Sequence, residues 1–538
     1  MEANRRESDC LFMSRNGLLL GALVGFAMMG PGPVAAVDNE RHADAPPSLP
    51  ATSEWKTYNG PYAGQRFSEL AQIDEHTAGE LTESCRVHAG ELGPFQPGPI
   101  LADNMLFITT SHSTIALNPV NCDILWKSIY APEQSEPWTA NRGLAYWQGK
   151  VFRGTPDARL IAYKAATGEL LWKTVVGDGE RGELLSSAPL AWNGLVFSGV
   201  SGGDFGIKGR MLAFDADTGK QVWQFNLIPH GGEPGAETWP LESSEHGGGG
   251  TWSSYALDPQ TAEIFVPVDN PAPSFSRDAR LGDNLYTGSL VVLDALRGKL
   301  KWYVQLRPND DHDYGISSPP MLFSLKDGRA VVALGSKDGH VYVIDRKTHR
   351  LLYKTAVVKL KNFFAAATTD GLEICPGTLG GIEWNGPALD RNNDSLVVGA
   401  NDWCSELKSL PQDYTAGQLF MRGTAKMLGS PTGTISSLDA KNGKIRWQFR
   451  APNGVVAAIT PTAGGVIFGG DLAGNFYVLR SSDGQVLKQI ATGGALAGGV
   501  ITYAVQGTQY VAVASGNVSR ATFGVVGTPS LIIYRLRN

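Results

Sequence analysis

The chain has 538 residues, of which 42% are hydrophobic and 65 are glycine, a composition typical of a large, turn-rich globular protein. Its formal net charge is −6 and its pI is about 5.9. This balance argues against a nucleic-acid-binding protein, because the sequence has no basic stripe that could neutralise phosphates.

The N-terminal segment has the features of a cleavable export signal. Leu18–Met29 is apolar but too short to span a bilayer, and the small residues Val34–Ala36 follow it as a cleavage site. We expect residues 1–36 to be a signal peptide, residues 37–54 a flexible leader and residues 55–538 the folded domain. These features predict a periplasmic protein without a membrane span.

Four cysteines remain after the predicted signal, and their even number in an oxidising compartment predicts two disulfides. Their order along the chain favours the pairs Cys85–Cys122 and Cys375–Cys404. A metal–thiolate site is the alternative, but the sequence contains no Cys-x-x-Cys pair. It also contains no Cys-x-x-Cys-His motif for covalent haem.

One phrase recurs along the chain. In its clearest copy, Ala213–Trp223, an apolar strand end leads through Asp-x-x-Thr-Gly into a strand that carries tryptophan. Glycine supplies the positive φ that a tight turn requires, so the phrase predicts a β-hairpin. Further copies, some of them weaker, are Ala116–Trp126, Ala162–Trp172, Val292–Trp302, Val343–Tyr353, Ser437–Trp447 and Val478–Lys488.

The spacing of the copies predicts an all-β protein, an eight-bladed β-propeller. Most copies lie roughly 40–50 residues apart, the length of a four-stranded blade. The longer step from Tyr353 to Trp447 predicts one further blade, with strands that include Ile382–Leu389 and Ser395–Ala400. Seven copies and this blade give eight. A tryptophan at one position of each blade is expected to pack between blades.

The two ends of the chain are expected to close the ring. Trp55–Leu70 lies upstream of the first copy and is predicted to pair with the last strands, Tyr510–Ala514 and Leu531–Tyr534. Pairing of N-terminal and C-terminal strands would remove exposed sheet edges.

Several polar segments beside different blades carry the candidate chemistry. Each alone is an ordinary turn or a solvated loop, but in a propeller such segments converge on the central channel. They are Asn141–Gly143, Ser201–Asp204, Gly247–Trp252, Asp269–Pro273, Arg307–Asp313 and Ser336–Gly339. Asp204, Asn270 and Asp313 would supply the oxygen ligands of a hard cation. Arg142 and Lys337 would suit a polyanionic ligand.

The combination resembles the quinoprotein alcohol dehydrogenases, eight-bladed propellers that hold pyrroloquinoline quinone (PQQ) with a calcium ion on their axis. The resemblance runs from about Trp55 to the C terminus. It is carried by Asn141–Gly143, Gly206–Gly209, Gly249–Trp252, Asn270–Pro273, Asp283–Tyr286, Asp310–Asp313 and Gly470–Leu472.

The resemblance implies a binding site for PQQ. Arg142 would bind a carboxylate of the cofactor, with hydrogen bonds from Ser186 and Ser201. Trp252 would be the surface on which the quinone ring stacks, and Lys337 would bond the region of the reactive carbonyl. Three further residues would contact the cofactor: Gln96, Gly202 and Gly203.

The resemblance also implies the metal site and the reaction. Asp204, Asn270 and Asp313 would ligate calcium, and Asp313 would be the catalytic base. An alcohol, or a sugar or aldehyde hydrate, would lose its proton to Asp313 and its hydride to the quinone. Gly315 stands where lanthanide-using relatives place a further aspartate, which favours calcium.

Four departures from the family pattern imply an atypical pocket. Gln96 replaces a cofactor-facing glutamate, and Asp204 replaces the usual, longer glutamate. Glu136 and Pro137 stand where relatives have two adjacent cysteines. His312 replaces a tryptophan.

Because the chain has no haem motif, the resemblance implies a separate soluble c-type cytochrome as electron acceptor. Two alternatives are a cofactor-free propeller scaffold of the cell envelope and a PQQ-binding protein that has lost turnover. Substrate specificity is expected in the loops over the channel mouth: Tyr130–Thr139, His230–His246, Ser274–Leu281 and Asn362–Gly371.

Overall fold

The computed structural model describes residues 52–240, 242–518, 523–524 and 527–537. The predicted signal peptide, residues 1–36, and most of the predicted leader lie outside the described residues. Within them, no helix is long and apolar enough to cross a membrane. The helices are short 3-10 turns at Ala78–Glu80, Gly179–Arg181, Gly203–Phe205, Ala236–Thr238, Ser243–His246 and Arg277–Ala279.

The described strands form eight antiparallel sheets, which matches the predicted number of blades. Sheet 1 contains Ile100–Ala102, Met105–Thr109, Ser113–Leu117 and Ile124–Ile129; sheet 2 contains Leu144–Trp147, Lys150–Gly154, Arg159–Lys164 and Leu170–Val175. Sheet 3 contains Leu190–Trp192, Leu195–Gly199, Arg210–Asp215 and Gln221–Asn226; sheet 4 contains Ala256–Asp258, Glu263–Pro267, Ser289–Asp294 and Leu300–Gln305.

The remaining sheets follow in chain order, except that the last also takes strands from the N-terminal side. Sheet 5 contains Met321–Ser324, Ala330–Gly335, His340–Asp345 and Leu351–Ala356; sheet 6 contains Leu372–Ile374, Ala388–Asp390, Ser395–Ser409, Gly423–Asp439 and Ile445–Ala451. Sheet 7 contains Thr460–Pro461, Val466–Gly470, Asn475–Arg480 and Val486–Ala491; sheet 8 contains Thr52–Ser53, Leu81–His88, Ala495–Val505, Thr508–Gly516 and Ser530–Leu536.

The repeated phrase is a contact between neighbouring sheets as well as a hairpin. The indole of Trp172 in sheet 2 donates a hydrogen bond to the Ala216 carbonyl in the turn of sheet 3, at 3.1 Å. In the same turn, a Cβ on Gly219 would lie 2.6 Å from the Trp172 ring, and the residue has φ +70°. Glycine and tryptophan therefore recur together because one packs on the other. Trp126 and Trp223 make the equivalent bonds.

The step from Tyr353 to Trp447 does not contain an additional blade, so that prediction was wrong. It holds sheet 6 alone, whose two central strands have 15 and 17 residues and form a long hairpin. Only the last part of Ile382–Leu389 belongs to a strand. An insertion that lengthens one hairpin widens the interval between copies without adding a sheet.

The eighth sheet instead combines strands from both ends of the described chain. Leu81–His88 pairs with Ser530–Leu536, whereas Trp55–Leu70 does not. Trp55 bridges to Leu101 in sheet 1. The prediction chose the wrong N-terminal segment because Gly60, Pro61 and Gly64 break Trp55–Leu70 into turns.

The hydrophobic core consists of clusters between successive sheets, from sheets 1 and 2 through sheets 7 and 8. A further cluster joins sheet 8 to sheet 1, with Ile501 and Ile533 on one side and Leu106 and Ile115 on the other. The core is therefore shared around all eight sheets.

Both predicted disulfides are present. Cys85–Cys122 joins sheet 8 to the turn before the last strand of sheet 1. Cys375–Cys404 joins the segment after Leu372–Ile374 to the long hairpin of sheet 6. The metal–thiolate alternative is thereby overturned, since all four sulfur atoms are in disulfides.

Candidate active site

The polar segments meet at one cavity because of where they lie in each sheet. They precede the first strand or follow the second strand of sheets 2 to 5, for example Trp252 before Ala256–Asp258 and Asn270 after Glu263–Pro267. In an antiparallel pair, the start of one strand and the end of the next lie at the same edge. Residues from four sheets are thus brought together.

The cavity has a volume of about 470 Å³ and takes in nearly all of the predicted site residues. Those that line it are Gln96, Arg142, Ser186, Ser201, Gly202, Gly203, Asp204, Trp252, Asp313 and Lys337. Asn270 lies beside them, with its Nδ2 3.3 Å from Oδ1 of Asp204.

Arg142 lies between two indole rings. Its guanidinium carbon is 4.7 Å from the ring centroid of Trp252 and 4.9 Å from that of Trp384. Its Nη1 donates to Oγ of Ser186 at 3.2 Å and to the Trp252 carbonyl at 3.0 Å. Burial lowers the pKa of Arg142 to about 10. Because its buried Nε has no hydrogen-bond partner among the described residues, this cation is suited to an anionic ligand.

A group of buried oxygen atoms lies at the junction of sheets 3 and 4. Oδ1 of Asp204 accepts a hydrogen bond from Ser274 at 3.0 Å in addition to the contact with Asn270. Within the described chain, Oδ1 of Asn270 and Oδ1 of Asp269 have no hydrogen-bond partner. Burial and the charge of Asp204 raise the pKa of Asp269 to about 7. Unpartnered, buried oxygen atoms of this kind are suited to a hard cation.

Asp313 and Lys337 form a buried ion pair in the cavity wall. Burial raises the pKa of Asp313 well above its usual range, and the carboxylates of Asp204 and Asp269 raise it further against the opposing charge of Lys337. Burial lowers the pKa of Lys337, but the surrounding carboxylates, Asp313 first, outweigh burial and raise it overall. Oδ1 of Asp313 has no hydrogen-bond partner among the described residues.

The carboxylates of Asp310 and Asp311 form the hydrogen bonds that order the loop carrying Asp313. Asp310 accepts backbone hydrogen bonds from His312 at 3.2 Å and Tyr314 at 2.8 Å. Asp311 accepts from Arg277 Nε at 2.8 Å, and His312 Nδ1 lies 2.8 Å from it. These bonds fix the left-handed backbone of Asp313, which has φ +63°.

Two of the departures from the family pattern lie away from the cavity lining. His312 is fully buried and stacks on Tyr314, with ring centroids 5.1 Å apart. Glu136 lies 2.8 Å from the ring nitrogen Nε2 of His112. The substitutions that do reach the lining are Gln96 and Asp204.

Sequence reasoning missed several lining residues. Glu383 and Trp384 precede the strand Ala388–Asp390 of sheet 6, where the repeat has decayed, although an adjacent acid and tryptophan are a recognisable signal. Burial raises the pKa of Glu383 to about 7 against the charges of Lys337 and Arg142. Asp269 was included in a polar segment but was given no role. The apolar part of the lining includes Trp138, Phe275, Leu419, Met421 and Phe523.

The tip of the sheet 6 hairpin forms one wall of the cavity. The backbone N–H of Phe420 donates to the carbonyl of Asp204 at 2.7 Å, and that of Phe275 donates to Met421 at 2.9 Å. Tyr414 stacks on His246 with centroids 3.5 Å apart. Of the loops expected to give specificity, Tyr130–Thr139 and Ser274–Leu281 supply Trp138 and Phe275. In the described chain, no residue of His230–His246 or Asn362–Gly371 is part of the lining.

Comparison with known proteins agrees with this architecture. The PQQ family described as "Glucose/ethanol/alcohol dehydrogenase, beta-propeller domain" matches residues 55–356, more than half of the chain. The chain belongs to this family. It is an enzyme, an oxidoreductase of the PQQ-dependent alcohol dehydrogenase type, and its all-β sheets are those of a PQQ propeller.

Relatives of this PQQ family member cover most of its length. It is 29% identical over 517 residues to the lanthanide-dependent methanol dehydrogenase of Methylacidiphilum fumariolicum (strain SolV), covering 86% of this chain and 84% of the relative. It is also 29% identical over 519 residues to methanol dehydrogenase [cytochrome c] subunit 1 of Methylorubrum extorquens, covering 85% and 82%. Among solved structures, a europium-containing methanol dehydrogenase superimposes with a TM-score of 0.83 at 27% identity, covering 90% of this chain and 98% of the other.

Proposed function

We propose that the protein is an exported, PQQ-dependent and metal-dependent dehydrogenase that oxidises an alcohol. The observation that carries the proposal is the shared cavity, in which a buried cation, an indole face and unpartnered carboxylate oxygens lie together. A scaffold has no use for such a set. Residues 1–36 would be the signal, residues 37–54 the leader and residues 55–538 the domain. Pairing of Leu81–His88 with Ser530–Leu536 would close its ring of sheets.

The lining residues fit an anionic aromatic cofactor. Trp252 would stack on the quinone, and Arg142, supported by Ser186 and Ser201, would bind a carboxylate. Lys337 would donate to the reactive carbonyl region. Further contacts would come from three other lining residues, Gln96, Gly202 and Gly203. The buried Oε1 of Gln96 is available for such a contact, because it has no hydrogen-bond partner in the described part of the chain.

The oxygen atoms beside the cavity fit a hard cation. Asp204, Asn270 and Asp313 would be its ligands, because each is buried or lines the cavity and each offers an oxygen atom. Calcium is the ion that the sequence favours on account of Gly315. When bound, the metal ion would draw electron density from the quinone, which accepts a hydride from the alcohol.

The chain's own contribution to the reaction is centred on Asp313. Its carboxylate would take the hydroxyl proton of the alcohol, and a raised pKa suits a base that acts near neutral pH. Lys337 holds this carboxylate in place through the buried ion pair. The loop bonds to Asp310 and Asp311 keep the base from moving, and the hairpin tip limits the access of water to the cavity.

The remaining lining favours a hydrophobic alcohol over a sugar. Trp138, Phe275, Leu419, Met421 and Phe523 present apolar surface and few hydrogen-bond partners for several hydroxyl groups. We propose a separate soluble c-type cytochrome in the periplasm as the electron acceptor, an assignment supported by the cytochrome named for the Methylorubrum relative.

Reconstitution of the mature chain tests this function. The chain without its first 36 residues would be loaded with PQQ and a metal ion, and dye-linked oxidation of a series of alcohols would be followed. We expect turnover that Asp313→Asn reduces by roughly 10²- to 10⁴-fold while PQQ absorbance of the variant is retained. Asp327→Asn, an exposed carboxylate in a turn of sheet 5 that does not line the cavity, is the control and should leave the rate unchanged.

Three results would separate the alternatives. PQQ bound without turnover of any alcohol would indicate a binding protein that has lost its activity. Failure to bind PQQ would favour the scaffold. Full activity of Asp313→Asn would reject Asp313 as the base while leaving the dehydrogenase in place.

A further inference from the structure

Arg66 is a buried arginine in a segment that has no role in the proposal so far. It is 1% exposed, and it does not line the cavity of the described chain. The backbone of residues 55–68 is hydrogen-bonded to strands of sheets 1, 4, 5, 6 and 7, at Leu101, Leu257, Leu322, Leu389 and Pro461. Arg66 therefore lies where several sheets meet, away from bulk water.

The hydrogen bonds of Arg66 use only one side of its guanidinium group. Nη1 donates to Oδ1 of Asn59 at 2.7 Å and to the carbonyl oxygen of Tyr58 at 3.3 Å. Nε and Nη2 form the parallel donors of another edge, and neither has a hydrogen-bond partner among the described residues. Asn59 is 3% exposed, and its Nδ2 is likewise unpartnered within the described chain.

Two other arginines are buried as completely as Arg66, and the chain itself satisfies both of them. Nε, Nη1 and Nη2 of Arg153 all donate to backbone carbonyl oxygens. The same three nitrogen atoms of Arg280 donate to oxygen atoms of the loops around it. Since buried donors are normally paired, the edge of Arg66 indicates an acceptor from outside the chain.

The charge of Arg66 decides what kind of acceptor this is. Neither of its hydrogen-bond partners is a carboxylate. Burial lowers the pKa of Arg66 to about 10, so the side chain is still a cation near neutral pH. Tyr58, whose ring centroid lies 5.5 Å from the guanidinium carbon, is neutral there because burial raises its pKa. A water molecule would accept the hydrogen bonds, but only an anion would also balance the buried charge.

We propose that the Nε–Nη2 edge of Arg66, with Nδ2 of Asn59 as a further donor, binds one small monovalent anion, either chloride or a simple carboxylate such as formate. Two parallel N–H groups match both kinds of ion, and one negative charge balances one guanidinium. Sulfate and phosphate are larger and bring excess charge into an enclosed site. The inference is independent of the proposed function, because it involves neither PQQ nor a metal ion.

Crystals test the location of the anion. The purified chain would be crystallised without halide or carboxylate, and separate crystals would be soaked in sodium bromide and in sodium formate. We expect an anomalous bromine peak, or planar formate density, at hydrogen-bonding distance from Nε and Nη2 of Arg66. A peak with bromide alone would identify a halide site, and density with formate alone a carboxylate site. Absence of both signals beside Arg66 would overturn the inference.

Thermal unfolding tests the same site in solution. The chain would be titrated with sodium chloride or formate in gluconate buffer at constant ionic strength, with sulfate as the control ion. We expect a saturable rise in Tm of roughly 2–3 °C at about a hundredfold excess over Kd. Arg66→Met should abolish this rise. Asn59→Asp, which puts a carboxylate beside Arg66, should also abolish it and should raise Tm in the absence of added anion.

Arg391→Met is the matched control, because it removes an arginine that is bonded to the same segment at Gln65 and Glu69 but lies at the surface. This variant should keep the full response to chloride or formate. A response that persists in Asn59→Asp, or that sulfate reproduces with saturation, would overturn the inference. Because Asn59→Asp keeps the size of the side chain, this comparison remains decisive even where Arg66→Met does not fold.

Discussion

Asp311 does not line the cavity, yet it orders the loop that carries Asp313. It is 1% exposed, and it accepts hydrogen bonds from Arg277 and His312. Burial raises the pKa of Asp311, but the bonds from His312 and Arg277 outweigh burial and hold the pKa well below its usual range. The ionised form of Asp311 therefore stabilises the fold as well as the position of the base.

We expect Asp311→Asn to lower the free energy of unfolding by about 2 kcal/mol near neutral pH, because it removes the charged acceptor of the hydrogen bonds from the half-buried Arg277 and from His312. A depressed pKa means that the stabilisation is complete above the unfolded-state pKa of about 4 and is lost as the pH falls towards the folded-state value. Urea unfolding should therefore show a difference between wild type and variant that shrinks below about pH 4.

The exposed pair of Asp327 and Arg329 provides the control for this measurement. Asp327→Asn should change the free energy of unfolding little, both near neutral pH and below about pH 4, because exposed ion pairs contribute little to stability. A destabilisation by Asp311→Asn that does not change with pH would show that the charge of this residue is not what stabilises the loop.

Among the elements, the long hairpin of sheet 6 has the most direct effect on the site. Its strands Ser395–Ser409 and Gly423–Asp439 carry a tip that supplies Leu419 and Met421 to the cavity. Stacking of Tyr414 on His246 fixes the tip to the loop before sheet 4. The hairpin therefore supplies apolar side chains to the cavity, and among the described residues it contacts the proposed metal ligand Asp204 only through the backbone of Phe420.

Tyr414→Ala should loosen the hairpin tip and change substrate selection without removing the cofactor. Loss of the stacked pair removes roughly 1 kcal/mol of contact, so we expect KM for alcohols to rise several-fold with little change in PQQ absorbance. Leu410→Ala, on the same hairpin and 40% exposed, is the control. Steady-state kinetics with a short and a long alcohol would measure the effect, and an unchanged KM would reject this role for the tip.

The repeated phrase predicts the β-hairpins correctly where they depend on contacts between the residues of the phrase itself and its neighbouring copy. Gly219 must turn with positive φ and must fit beneath Trp172, so both residues persist and both are visible in the sequence. The hairpin of sheet 6 escapes prediction because its length is set by contacts of its tip with Phe275 and Asp204, which are distant in the sequence. The extra interval was therefore interpreted as a blade.

The residues of the site could be predicted from the sequence where their side chains differ in chemistry from the apolar strands around them. Arg142, Trp252 and Lys337 stand out as polar or aromatic residues between apolar strands, and the structure places them around one cavity. Asp269 does not stand out, because an aspartate before Asn-Pro has the pattern of a turn. Its position between Gly203 and Gly315 depends on the packing of three sheets and cannot be derived from local sequence.

At the scale of the whole molecule, sheet 8 connects residues from both sides of the described chain. Ser530–Leu536 lies between Thr508–Gly516 and Leu81–His88, and it pairs with both. The clusters on either side of sheet 8 join it to sheet 7 and to sheet 1. The cavity residues of sheets 2 to 5 therefore depend on a distant strand for a complete surrounding core.

A chain that ends at Pro529 should not form a stable, soluble domain. Loss of Ser530–Leu536 leaves two strands without their partner and exposes sheet edges, which favours association between molecules. Size-exclusion chromatography and thermal unfolding should show aggregates or a non-cooperative transition. A chain that lacks only Arg537 and Asn538 is the control and should elute as the full-length chain does and unfold cooperatively. A compact, cooperative product of the shorter chain would contradict the prediction.

The composition of sheet 8 also determines the order in which the sheets can form during folding. His88 and its partner Ser530 are 442 positions apart in the sequence. Because contacts of such long range form slowly, the pairing that completes sheet 8 should be among the last steps of folding. Sheets 1 to 7 can assemble while the chain is still emerging from a ribosome or a transport channel, but the eighth must wait for the final strand. Until that strand arrives, Leu81–His88 has an open edge, and the newly made protein is most vulnerable to aggregation and proteolysis during this interval.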